Sequence, residues 1–179
     1  GSLVVKYLLT HYGLNKSKFT WAIAGRSKIK LEELKQSFIH IDPKSAGIDT
    51  FIADSFDSKS LDLMTASCRV IISTVGPYLE YGLSLINSCV KNKTNYCDLT
   101  GEVPFIRESI DIFHEKAKKN KCRIIHSCGF DSIPSDIGVL FLQKNSIKKY
   151  DKICGTVNLY VEGIKAVSYT HLRAHETQS

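Results

Sequence analysis

The residues best equipped for chemistry stand at the ends of apolar runs. T-W-A-I-A-G-R-S (Thr20–Ser27) ends in Gly25-Arg26-Ser27, V-I-I-S-T-V-G-P-Y (Val70–Tyr78) in Val75-Gly76-Pro77-Tyr78, and R-I-I-H-S-C-G-F-D-S-I-P (Arg123–Pro134) in a turn carrying Asp131. A guanidinium beside a hydroxyl suits a phosphomonoester such as the 2′-phosphate of NADP, where an acidic residue would favour a free 2′-hydroxyl. Arg26 and Ser27 are therefore expected to bind NADP through that phosphate, with Lys28 and Lys30 adding positive field. Gly76 lets the backbone approach a ligand closely and Pro77 holds the turn rigid, so Val75, Gly76 and Pro77 are expected to line the cofactor.

Three carboxylates, Asp98, Glu102 and Asp131, follow later runs and are expected near one crevice. Proton donors and acceptors are wanted wherever hydride transfer creates or consumes a carbonyl or imine. Asp98 and Asp131 fit that role and equally fit helix capping, and Glu102 is expected to bind backbone amides ahead of the helix that Pro104 opens. Asp54 has two roles open to it, accepting from an adenine amino group or shaping a turn. Tyr78 is a further catalytic candidate near the nicotinamide, against a structural role in the core. His126 lies inside an apolar strand and reads as a satisfied core histidine. Ser132 lacks the G-x-S-x-G context of a nucleophile elbow, and no Ser/His/Asp or Cys/His arrangement emerges from the spacing.

The elements that must position these residues alternate. Leu3, Val4, Tyr7 and Leu8 repeat with helical spacing up to Gly13, so Gly1 is expected to be the last glycine of a G-x-x-G-x-x-G phosphate loop. Strands follow at Phe19–Ala24, Thr50–Ala53, Val70–Val75, Asn95–Leu99 and Arg123–Ser127. Helices are expected around Leu31–Phe38, from Ser58 to Ser67, at Tyr81–Val90, from Pro104 to about Asn120, and at Ser135–Gln143. Runs buried on both faces and separated by helices make an α/β fold with a doubly wound parallel sheet, here lacking its first strand, whose strand ends form the ligand crevice.

Residues 1–150 are expected to form this nucleotide-binding domain, and 151–166, with an alternating strand at Cys154–Val161, to begin a second α/β substrate domain. Val167–Ser179 reads as the translation of a transposase sequencing adapter, so His171 and His175, although spaced like helical metal ligands, are given no role and no metal is expected.

The formal net charge is +6, spread over lysine runs at predicted helix ends. No aromatic interleaving marks a nucleic-acid groove, so no nucleic-acid partner is expected. The six cysteines form no C-x-x-C pair and read as reduced thiols of an intracellular protein. No apolar stretch reaches the roughly 20 residues of a membrane span.

W-A-I-A-G-R-S, V-G-P-Y-L-E-Y-G, Y-C-D-L-T-G-E and S-C-G-F-D-S-I-P-S-D-I-G, in that order, resemble the saccharopine dehydrogenase-like oxidoreductases. The resemblance covers Gly1 to about Gly163. It implies a Rossmann-type NADP-binding domain, an inserted substrate domain, and hydride transfer to a C=C, C=O or C=N bond of a lipid-like or small substrate. It also implies, for eukaryotic members, association with lipid droplets, mitochondria or plasma membrane and a link to glycolipid metabolism. No catalytic residue carries over with it. A scaffold or redox sensor that retained NADP binding without catalysis is the competing reading, since a fold does not fix a function.

Overall fold

The computed structural model describes residues 1–14 and 19–145. The expected substrate-domain strand at 154–161 and the segment 167–179 lie outside the described residues. The chain divides into two compact units, Gly1–His126 and the part from Ser127 onward.

In the first unit the order is α1 (Ser2–Tyr12), β1 (Ala22–Gly25), α2 (Lys28–Ser37), a 3-10 turn (Pro43–Gly47), β2 (Asp49–Ile52), α3 (Ser58–Ala66), β3 (Val70–Ser73), α4 (Tyr78–Asn92), β4 (Asn95–Asp98), α5 (Val103–Asn120) and β5 (Ile124–Ile125). The second unit holds α6 (Ile133–Asn145), with Asp136 in its first turn. Local chemistry sets many of these boundaries. Ser27 caps α2 by accepting from Lys30 N, and Asp57 caps α3 by accepting from Lys59 N. Lys93 and Lys121 end α4 and α5 in the left-handed region, at φ 59° and 56°.

All strand pairs are parallel. β1 pairs with β2, and β3, β4 and β5 pair in that order. Among the described residues β1 and β3 each pair on one side only, so two sheets stand where one was expected.

Helices cover both faces, as the period-2 alternation of a strand requires. Ile23 of β1 is buried with Val5 and Leu9 of α1 and Leu31 of α2. The next residue in register faces the other way: Ala24 aligns with Phe51, which packs on the second core. That core joins α3, α4 and α5 through Leu61, Leu85, Ile86, Phe105 and Phe113, and is backed by Ile71, Tyr96 and Ile124, which share one register line across β3, β4 and β5.

Candidate functional site

The site is built from strand ends. Arg26 follows β1 with its side chain exposed, and Ser27 is half-buried. The Ser27 hydroxyl accepts from Lys30 N at 3.3 Å and still has its own proton to donate. Phe56, in the loop after β2, and Tyr81, in the first turn of α4, meet edge to face, with centroids 5.5 Å apart. Glu80 pushes the Tyr81 phenol above its usual pKa and Arg26 pulls it back, so guanidinium and phenol share one neighbourhood.

Gly1 is the N-cap of α1, and among the described residues no side chain caps that helix. A Cβ at Gly1 would lie 3.3 Å from the Thr74 hydroxyl, in the turn after β3. The start of α1 and the turn carrying Val75, Gly76 and Pro77 are thus neighbours. Val75 is half exposed, and the Gly76–Pro77 peptide is cis. Two segments that the sequence places far apart, the expected phosphate-loop glycine and the V-G-P turn, come together here.

The acidic candidates divide. Asp54 follows β2, and its Oδ1 accepts from Phe56 N at 3.0 Å in a tight local turn. Asp98 is 2% exposed and turned inward: Oδ1 accepts from Thr100 N at 3.1 Å and Oδ2 lies 2.8 Å from His126 Nδ1. Glu102 does bind backbone amides, but those of α4 rather than of the helix it precedes. Tyr78 is buried, its hydroxyl donating to Ser73 O at 3.1 Å and its ring lying against Phe105. Burial pushes its phenol up to about 12. Asp131 is exposed, in the turn ahead of α6 in the second unit.

His126 is the satisfied core histidine its setting implied. Nδ1 meets Asp98, Nε2 lies 3.1 Å from Ser109 Oγ, and the ring stands edge-on to Phe105. The spacing gave no sign of this serine–histidine–aspartate connection. It is not a nucleophile site, because Ser109 is 2% exposed within α5, where no acyl substrate can reach its oxygen. Tyr96 Oη, fully enclosed beside Asp98, has its pKa raised by burial and then by that carboxylate. Among the described residues no group of three His, Cys, Asp or Glu side chains is placed to hold a metal, and no helix is long and apolar enough to cross a membrane.

The family model of the saccharopine dehydrogenase NADP-binding domain matches residues 1–125, and the chain belongs to that family. NADP is the cofactor of the matched domain. The trans-acting enoyl reductase of Mycobacterium tuberculosis (strain ATCC 25618 / H37Rv) is 40% identical over 143 residues, covering 80% of this chain and 34% of that protein. The trans-acting enoyl reductase of Mycobacterium leprae (strain TN) is 37% identical over 152 residues, 84% of this chain and 36% of its own length. The chain therefore spans about a third of the curated relatives it matches. Among solved structures, apo histidine-tagged saccharopine dehydrogenase (L-Glu forming) from Saccharomyces cerevisiae superposes with a TM-score of 0.61 at 16% identity, over 80% of this chain and 28% of that one. That likeness establishes the shared fold.

Proposed function

We propose that this chain forms the cofactor-binding part of an NADP-dependent oxidoreductase that delivers hydride to a C=C, C=O or C=N bond. The name of the enoyl reductase relatives favours the C=C bond of an enoyl group. A lipid-like substrate, a role in glycolipid metabolism, and a place at lipid droplets, mitochondria or membranes belong to the same proposal and rest on the family resemblance.

The observation that carries the reading is the meeting of Gly1 with Thr74. It puts the uncapped amides of α1, a natural anion site, next to the backbone of Val75, Gly76 and Pro77. A dinucleotide fits this arrangement: α1 receives the pyrophosphate, the V-G-P backbone lines a ribose, and Arg26 with the Ser27 hydroxyl takes the 2′-phosphate at the end of β1. Asp54, just after β2, is the acceptor we assign to the adenine edge. Bound NADPH supplies the hydride. The residues of this chain bind and orient it. Asp98 and Tyr78 are held inside the core by contacts of their own.

Arg26→Ala tests this reading. Losing a charge-assisted contact of roughly 1.5–3 kcal/mol weakens NADPH by about ten- to a hundredfold, while NADH, which lacks the phosphate, barely changes. Titration of both cofactors into wild-type and variant full-length protein at matched ionic strength decides it. Equal losses for the two, or none for NADPH, would remove Arg26 from the phosphate site.

A further inference from the structure

We propose that Glu102 is a positioning residue for the cofactor-facing turn, acting through the amino terminus of α4; the inference rests on the NADP reading above. Its Oε1 accepts from Tyr78 N at 2.8 Å and its Oε2 from Leu79 N at 2.9 Å. These are the first two amides of α4, directly after Gly76-Pro77, and that helix has no side-chain cap of its own at Pro77. A carboxylate there satisfies two orphan donors and meets the positive end of the helix dipole. Since both oxygens are engaged by amides, the geometry gives Glu102 a holding task.

The carboxylate is itself held. Glu102 N donates to Thr100 Oγ1 at 3.0 Å, Thr100 N donates to Asp98 Oδ1 at 3.1 Å, and Asp98 Oδ2 lies 2.8 Å from His126. Thr100 and Asp98 are each 2% exposed, so these contacts are shielded from water. The turn has a second anchor below it, where the Tyr78 hydroxyl donates to Ser73 O. A continuous set of contacts therefore runs from the end of β5, through the end of β4, to the turn after β3. It holds both ends of residues 74–77, the stretch whose Thr74 lies against Gly1, and so sets where the backbone of Gly76 meets the cofactor. A fixed, pre-paid geometry of this kind raises affinity because nothing is left to order on binding.

The pyrophosphate and ribose are common to both cofactors, whereas the 2′-phosphate is not. Displacing the turn must therefore weaken NADPH and NADH by the same factor, a pattern distinct from that of Arg26→Ala. In the full-length protein, Glu102→Gln keeps the size of the side chain but sets an amide NH2 against an N–H donor. It is expected to weaken both cofactors on the order of tenfold. Thr100→Val removes the hydroxyl that accepts from Glu102 N and is expected to cause a smaller but equal loss; it decides the matter if Glu102→Gln does not fold.

Phe113→Leu serves as the control for stability alone. It alters a buried residue 5% exposed in α5, about 15 Å further along the helix, and should lower Tm while leaving both Kd values unchanged. Unchanged cofactor affinities in Glu102→Gln, or losses that Phe113→Leu reproduces at equal Tm, overturn the inference alone. Absence of NADPH binding by the wild-type protein overturns the cofactor reading and this inference with it.

Discussion

A methyl group placed on Gly82 would lie 2.5 Å from both Cε2 and Cζ of Phe105. Gly82 sits inside α4, and Phe105 is fully buried at the start of α5, so this contact sets how closely the two helices approach. Helix propensity favours Gly82→Ala by roughly 1 kcal/mol. Overpacking a closed core costs about 1–3 kcal/mol, and the ring is fully buried between Tyr78 and His126, so the clash wins. Gly82→Ala is expected to lower Tm by a few degrees, and a second change, Phe105→Leu, should recover part of that loss. Thermal unfolding of the single and double variants checks it; a stabilised Gly82→Ala would mean that the helices can separate freely.

What was legible in the sequence was local. The alternation of strands and helices, the Glu102 expectation of amide binding, and the core setting of His126 all follow from residue type and spacing, whereas the capping of α2 by Ser27 was found only in the structure. What was not legible depended on partners far along the chain. α4 begins at Tyr78, three residues before its apolar period starts at Tyr81, because its cap is a glutamate 24 residues away. The Asp98–His126 contact follows from the β4–β5 register, which aligns Tyr96 with Ile124 and Cys97 with Ile125 and so brings position 98 beside 126. No pattern within either strand announces that pairing. β5 is shorter than the apolar run that encodes it, since Ser127 turns to φ 59° and ends the extended backbone.

Alkaline pH should weaken the fold through buried groups, Tyr78 and Cys89 among them. Burial pushes the Tyr78 phenol from its ordinary 10.0 up to about 12, and the Cys89 thiol from 9.0 up to about 12. Between pH 9 and 12 the unfolded chain releases these protons while the folded chain keeps them. Stability is therefore fully present below about pH 9 and declines as pH rises through the folded-state values. Urea midpoints at pH 8, 9, 10 and 11 should fall progressively. Tyr78→Phe should start lower, by about 1 kcal/mol for the lost bond to Ser73 O, yet lose less between pH 10 and 11. An identical slope in that variant would mean that Tyr78 does not report the transition.

Ser27 separates a capping task from a ligand task. Its hydroxyl accepts from Lys30 N, so Ser27→Ala removes the cap of α2 and costs about 1 kcal/mol of stability. Aspartate is an equally good cap and also favours the helix dipole, so Ser27→Asp should keep or raise Tm. Under the proposed cofactor placement, however, the new carboxylate beside Arg26 faces the 2′-phosphate as a like charge and neutralises the guanidinium proposed to attract it. NADPH should weaken by at least about tenfold, because like charges a few ångströms apart near a protein surface repel by several kcal/mol. NADH should hold or improve, since the carboxylate can accept from a free 2′-hydroxyl. The ratio of the two dissociation constants, measured on a variant whose Tm is intact, is the test; an unchanged preference for NADPH would place the 2′-phosphate elsewhere than at the end of β1.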